Sequence, residues 1–599
     1  MMKAKWILSI ILAMAVATFV ACSNVNDKQR ANKLPIETDK PNTTDKKSYG
    51  AYLAGRVAHL RRDFNNASDF YIQALKINDN NPELVNRVYL MLVSQSRIDE
   101  AAVYAEKYLS TNKNDNFAHT VIAVKNMHNG DYEQSIKNTK NFNNKAYQNF
   151  IAPLLNAWNY VGMEQQEQAL KELEPLKKEP GFKSIYHFHS GMINDYFSRN
   201  REAQKHYEDL LNEENLDLSL SSLQVISNFY LRTEQKDKAL ALISQISNDR
   251  FVNDMLKALK KNIKASDKNS ERIIKSANDG AAEALFSVAA TFRYDEIIDV
   301  AHMFTCLAVY QNPKYDLAKI LLADILEDRE MYEDANNIYE TIEEASVAYY
   351  VSRLKMANNL IKLDDYKGAE LLLKSLAFDY ENMQLYLDLG DILRISKRPK
   401  EAIKYYKLAI DKSGKNTPWA LYYALGVAYE QSNDWDNAEQ ALKKAQKLSK
   451  GHYLVLNYLG YTWIKQGRNI NEAFPMIVSA YAQAPSDANI IDSLGWALYN
   501  LGYYGMAEKY LEQATAAAPS NPVISEHLGD VYWFTDRKNE ARFQWQHALD
   551  LKDATGEINR QAIKNKLAGG ITKAPEAVYD KELIDKQLKL LTSSEFVTQ

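Results

Sequence analysis

Along most of this chain, apolar residues recur at three- and four-residue intervals, the spacing that lays one hydrophobic stripe along a helix. The striped segments come in pairs separated by short polar turns, which predicts helical hairpins. A small residue opens the second helix of each pair and marks a period. It falls at Ala67, Ala101, Ser135, Ala169 and Ala203, each 34 residues after the last, and then at Ala239, 36 further on. A second series runs Ala301, Ala335, Ala369, Ala402, Ala438, Ala473, Ala507 and Ala541, with steps of 34, 34, 33, 36, 35, 34 and 34.

Other positions keep the same beat. Twelve residues before the small residue stands a glycine in six units: Gly55, Gly191, Gly390, Gly426, Gly495 and Gly529. A leucine precedes this position as Leu389, Leu425, Leu459, Leu494 and Leu528, and an aromatic follows it as Tyr429, Trp463 and Tyr532. Four residues after the small residue comes a bulky ring: Tyr71, Tyr207, Tyr339, Tyr406 or Trp545. Proline closes units at Pro313, Pro485 and Pro519, where it ends a helix. This pattern resembles the tetratricopeptide repeat. Glycine and alanine stand where two backbones cross too closely for larger side chains. One hairpin cannot bury its apolar stripe alone, so stacked neighbours complete the core. The expected fold is all-α, a right-handed solenoid of about 14 hairpins.

The interval from Ala239 to Ala301 is 62 residues, which is not two repeats. The division that follows is an N-terminal array over 48–245, a degenerate hairpin or joint over 246–281, and a C-terminal array over 282–551. A capping helix and tail occupy 552–599. Met255, Leu256, Leu259 and Ile263 keep helical spacing inside the joint, which favours the hairpin reading.

Composition narrows the function. A net charge of −4 over 599 residues offers no basic surface for nucleic acid. Lys3 and Lys5 precede an apolar run from Trp6 to Val20, a secretory signal pattern over 1–21. Phe19-Val20-Ala21-Cys22 resembles a lipobox, in which Cys22 becomes the lipidated N-terminus of a bacterial lipoprotein. Ser23 in place of an aspartate favours the periplasmic face of the outer membrane. Residues 22–47 are polar, with two prolines, and read as a disordered tether of about 25–30 Å reach. Cys306 then has no partner and reads as a small buried residue.

Motifs for chemistry are missing. The sequence has no phosphate-binding glycine loop, no His-Glu-x-x-His and no paired Cys-x-x-Cys. His187 and His189 are two apart on a predicted helix and point to different sides of it, so they do not make a metal pair. Carboxylate pairs such as Glu213-Glu214 and Glu343-Glu344 read as solvated charge. The repeats leave no room for a catalytic domain. The expectation is a non-enzymatic binding protein with no cofactor and no metal.

In tetratricopeptide repeats one face of the first helix lines a concave groove. The resemblance therefore places Tyr423, Glu430, Asn457, Tyr461, Lys465, Asn489, Asp492, Trp496, Tyr499, Asn500, Glu526, Asp530 and Trp533 on that face in the C-terminal array. Asparagine can clamp an extended backbone with donor and acceptor together, and the rings supply large anchors. Trp496 and Trp533 are the leading contact candidates. The N-terminal array offers Tyr49, Tyr52, Arg56, His59, Phe117, Trp158, Phe188 and Tyr196. The stretches Leu456–Tyr461, Asp492–Tyr499 and Glu526–Trp533 are similar to a family of outer-membrane tetratricopeptide-repeat lipoproteins. That family includes adaptors of periplasmic carboxyl-terminal processing proteases. The resemblance implies a lipid-anchored scaffold whose partners are periplasmic proteins, such a protease and its substrates among them. The alternative is a scaffold for assembling polysaccharide, pilus or outer-membrane protein machinery.

Overall fold

A computed structural model of the chain describes residues 43–592, apart from residues 62, 78–80, 180, 214–217, 245–248, 267–269, 553–557 and 576. Cys22, the signal and the tether up to residue 42 lie outside the described residues. All regular elements among the described residues are helical, and the chain divides into two compact units between Asp365 and Tyr366.

The first unit contains eight hairpins. Six follow in succession: Thr43–Leu60 with Phe64–Ile77, Pro82–Ser94 with Ile98–Leu109, Asn116–His128 with Tyr132–Thr139, Ala152–Gly162 with Gln166–Lys178, Lys183–Tyr196 with Asn200–Leu211, and Leu220–Arg232 with Lys236–Leu242. A single helix, Arg250–Ala265, comes next. Two further hairpins are Ala277–Tyr294 with Ile298–Gln311 and Asp316–Asp328 with Tyr332–Glu340, and Tyr349–Lys362 closes the unit. In the second unit Tyr366–Asp379 opens five hairpins: Met383–Ile395 with Pro399–Ser413, Trp419–Gln431 with Trp435–Ser449, Tyr453–Lys465 with Ile470–Gln483, Ala488–Asn500 with Tyr504–Ala517, and Pro522–Phe534 with Lys538–Asp550. Below, the first and second helix of a hairpin are helix A and helix B.

The period has two physical carriers. All fourteen residues of the small-residue ladder are at most 1% exposed, and in the hairpins within each unit helix A lies directly on them. The conserved spacing of glycine and bulky ring is one contact. A Cβ on Gly529 would stand 2.5 Å from Cδ1 of Trp545, and one on Gly191 would stand 2.4 Å from Cε1 of Tyr207. The second carrier is the turn. A left-handed residue follows helix A at Ser96, Gly130, Glu164 and Ser198, and again at Lys397, Asn433, Gly467, Gly502 and Asp536. The next amide reaches back five residues, as in Arg97 N to Leu92 O and Tyr503 N to Leu498 O, both 2.9 Å. This closes the helix and reverses the chain within three residues.

The first unit departs from simple stacking. After Arg250–Ala265 the chain turns back, and the hairpin 277–311 packs against helices A of hairpins 2 to 5. Phe304 meets Phe117 at 5.7 Å and Phe292 at 5.6 Å. Gln311 Nε2 donates to Val124 O at 2.7 Å, Asn278 Nδ2 donates to His128 O at 3.3 Å, and Tyr310 OH donates to Asp99 Oδ1 at 2.7 Å. Gly280 admits the Trp158 indole, whose Cε3 would stand 2.1 Å from a Cβ there. Cys306 is fully buried in this seam, as expected of a small apolar residue, and burial raises its thiol to about 11.

At the end of the second unit, Arg560–Gly569 packs on the last hairpin, and the tail contains a further helix, Lys581–Thr592, lying on Ile470–Gln483. Ile584 is fully buried there, Tyr579 OH donates to Leu501 O at 2.9 Å, and Tyr503 OH donates to Asp585 Oδ1 at 2.9 Å.

Candidate protein-binding face

The face built by helices A of the second unit starts from its caps. Asp487 accepts from the amides of Asn489 and Ile490, and Asn521 accepts from those of Val523 and Ile524, with Pro522 opening the helix. Each cap fixes where its helix begins and so sets the register of the face above it.

The structure sorts the candidate residues into three groups. Tyr423, Glu430, Asn457, Tyr461, Trp496 and Asn500 are half-buried, and Asn489 and Lys465 are exposed. Tyr423 meets Trp419 at 6.2 Å and Tyr458 at 5.5 Å in edge-on arrangements, while Lys465 lies 6.0 Å from the Tyr461 ring. Asn500 Nδ2 is spent on Trp496 O at 2.8 Å. The Oδ1 of Asn457 and the Nε1 of Trp496 are buried without a hydrogen-bond partner.

The second group, Asp492 and Tyr499, is buried and structural. His527 faces Asp492 with Nδ1 2.9 Å from Oδ1 and 3.1 Å from Oδ2. Trp496 stacks on the same imidazole at 3.9 Å and 16°, and on Tyr499 at 4.9 Å. Sequence spacing did not reveal His527, because it belongs to the side of its helix that faces the preceding repeat.

The third group, Glu526, Asp530 and Trp533, is taken up by the chain's own C-terminal segment. Lys566 Nζ lies 2.7 Å from Glu526 Oε1 and 2.7 Å from Asp530 Oδ2, and Trp545 Nε1 donates to Asp530 Oδ1 at 2.8 Å. Burial raises the Asp530 carboxyl, against the opposing pull of Lys566. Trp533 Nε1 donates to Ile571 O at 2.9 Å, and its ring fits against Gly570 so closely that a Cβ would stand 1.9 Å from Cζ2. Trp533 was expected to be a free contact. It is instead a docking point for residues 570 and 571.

In the first unit, Phe117, Trp158 and Phe188 were expected on an open groove and are 2%, 0% and 5% exposed. The returning hairpin 277–311 covers Phe117 and Trp158, and Trp158 Nε1 donates to His189 Nδ1 at 3.0 Å. Burial lowers His189 to about 3, so it stays neutral. Tyr52, Arg56, His59 and Tyr196 are half-buried, and Tyr49 is exposed. Nothing in residue spacing signals the self-filling, since hairpin 277–311 has the same repeat grammar as its neighbours. The only sequence mark is the 62-residue interval before Ala301.

Among the described residues no helix is long and apolar enough to cross a membrane, and no three His, Cys, Asp or Glu residues stand at metal-ligand spacing. Two tetratricopeptide-repeat family profiles match the chain, one over residues 354–417 and the other over 420–452 and 488–521. A TPR repeat-containing protein of Pseudomonas aeruginosa is 31% identical over 150 residues, a quarter of this chain and a quarter of that protein. Anaphase-promoting complex subunit 6 of Arabidopsis thaliana is 26% identical over 188 residues, covering 30% of this chain and 34% of that protein. The matched region therefore spans about a third of the length of these relatives at most. The solved APC/C hetero-tetramer Cut9–Hcn1 covers 88% of this chain and 97% of its own, at 14% identity and a TM-score of 0.35. The chain is an all-α array of helical hairpins carrying tetratricopeptide repeats, an architecture suited to binding other proteins.

Proposed function

We propose that this chain is a non-enzymatic, lipid-anchored scaffold at the periplasmic face of the outer membrane. It binds a carboxyl-terminal processing protease and presents substrates to it. The observation that carries the binding role is the helix A face between Trp419 and Asn500. There half-buried rings (Tyr423, Tyr461, Trp496) alternate with asparagines, and Asn457 Oδ1 and Trp496 Nε1 lack partners. A buried polar atom without a partner costs about 1–3 kcal/mol. A partner whose binding turned these side chains outward would supply a donor to Asn457 and an acceptor to Trp496 and recover part of it. The equivalent face of the first unit is filled by the chain itself, which directs partners to the second unit. Tethering rests on the Phe19–Cys22 sequence, and the protease on the resemblance of Leu456–Tyr461, Asp492–Tyr499 and Glu526–Trp533 to the lipoprotein adaptor family.

Two measurements test this reading. Immobilised 24–599 fragment exposed to periplasmic extract should retain a serine protease of that class. Asn457→Ala with Tyr461→Ala should reduce the retained amount at least about tenfold with the melting temperature unchanged. Retention of envelope-assembly proteins without any protease would instead support the scaffold for assembly. Cys22→Ser should release the chain from the membrane fraction, and persistence there would refute lipid anchoring.

A further inference from the structure

The helix Thr43–Leu60 opens the first unit and packs one side on Phe64–Ile77, where Gly55 admits the Tyr71 ring and Tyr52 lies 5.9 Å from it. Its other side is where a preceding repeat would stack in a solenoid, and a terminal repeat ordinarily makes that side polar. Here it is apolar: Tyr49, Leu53, Val57 and Leu60 are 66%, 59%, 48% and 76% exposed. At the α-helical angle per residue the four span an arc of about 80°, a continuous stripe along the helix. The last hairpin of the chain, by contrast, is covered by Arg560–Gly569. We propose that this stripe docks Thr43–Leu60 onto an anionic phospholipid surface.

Charge selects the occupant. Residues 43–62 carry five Lys and Arg against one Asp, in a chain whose net charge is −4. Arg56 stands one turn from both Leu53 and Leu60, and the exposed Arg61 follows the end of the stripe. Aliphatic side chains along one side, with tyrosine and arginine at the margins, are the composition of a helix lying in a bilayer interface, where cations meet lipid phosphates. A second copy fits less well, because a two-fold pairing of this helix sets its cationic residues against those of its partner. The 20 residues between Cys22 and Thr43 offer only Val25, Leu34 and Ile36 as bulky aliphatic side chains, too few to match the stripe. The inference rests on the anchored reading above for the nearness of a bilayer. Thr43 comes 21 residues after Cys22, and a helix held so close needs only a weak contact to stay down. Lipid on Cys22 supplies attachment, and the stripe decides which side of Thr43–Leu60 faces the bilayer.

The test dispenses with the lipid on Cys22. The 24–599 fragment, which contains every described residue, is sedimented with vesicles of phosphatidylethanolamine and phosphatidylglycerol at millimolar lipid. Association should be about 10³ M⁻¹, below the value of about 10⁴ M⁻¹ for a single acyl chain, and should fall at least about tenfold on vesicles of phosphatidylcholine alone. Leu53→Glu with Leu60→Glu should lower it at least about tenfold with the melting temperature unchanged, since both side chains already face solvent. Val103→Glu, at an exposed apolar residue of Ile98–Leu109, should leave it unaltered. No sedimentation at about 10 mM lipid, or equal sedimentation of the Leu53→Glu, Leu60→Glu variant, would overturn the proposal. So would a dimer in analytical ultracentrifugation that the same variant abolishes, which would give the stripe to a second copy. Membrane release of the Cys22→Ser chain bears on anchoring alone, so the two readings fail separately.

Discussion

Phe304→Ala probes whether the first unit is a row of neighbours or a body closed on itself. Phe304 is fully buried between Phe292 and Phe117, the latter 187 residues earlier in the chain. Removing a buried phenylalanine costs about 3–5 kcal/mol, the higher end where the site cannot collapse. Collapse is resisted here by Gln311 bonded to Val124 O and by Gly280 locked under Trp158. A loss near 4 kcal/mol is a large part of a domain's total stability of about 5–15 kcal/mol. The assay is native-state hydrogen exchange resolved by helix. Amides of Pro82–Ser94 and Asn116–His128 should lose protection together with those of Ala277–Tyr294 and Ile298–Gln311, because the returning hairpin packs on both early helices. In a nearest-neighbour solenoid a defect at residue 304 would spread only to adjoining repeats. Wild-type exchange in Pro82–Ser94 alongside lost protection in Ile298–Gln311 would refute the closed body.

Three further outcomes follow from named contacts. Glu283 is fully buried, accepts from Ser221 Oγ at 2.6 Å and Tyr315 OH at 2.5 Å, and burial raises its pKa. Its contribution is present below its unfolded value near 4.5 and is lost as pH rises through the folded value. The urea stability of Glu283→Gln relative to wild type should therefore improve as pH rises, and a difference that does not change between about pH 4 and pH 8 would contradict this. Gly529→Ala places a methyl 2.5 Å from the Trp545 ring and 3.1 Å from Ala541 O, so thermal unfolding should show a loss of about 1–3 kcal/mol. An unchanged melting temperature would mean that the hairpin can widen freely. Lys566→Ala leaves Asp530, a carboxylate with 6% side-chain exposure, without its cation and should cost about 3–5 kcal/mol. Adding Asp530→Asn should restore much of that in chemical denaturation, and failure to do so would show that the pair is not coupled.

The hairpins were legible because the signals that specify them are local. The ladder from Ala67 to Ala541 reports the closest approach of two adjacent helices, and the chain writes that approach every repeat. The left-handed turn residues follow the same beat but were harder to see, since serine, glutamate, lysine and asparagine occupy the position as well as glycine. The candidate face was legible only as a register. Tyr461 and Trp496 reach it, but whether a position there is open depends on residues distant in sequence. Trp533 meets Gly570 and Ile571, and Phe117 meets Phe304; neither encounter leaves a periodic mark. The contact of His187 with His206 leaves no periodic mark either, since the two lie 19 residues apart on opposite helices of one hairpin.

The returning hairpin also sets a timetable for the nascent chain. Helices Pro82–Ser94 and Asn116–His128 have no complete surroundings until residue 311 has been made, since Gln311 itself bonds to Val124. At about 5–20 residues per second, that is a wait of about 10–40 s after residue 128. During it the rings of Phe117 and Trp158 lack their covers. A ribosome pause or a truncation before residue 277 would leave this apolar trough open to chaperones and to other copies of the chain. The stretch of chain that carries the helix Arg250–Ala265 is thus a point of kinetic risk during synthesis, because it delays the hairpin that covers these rings.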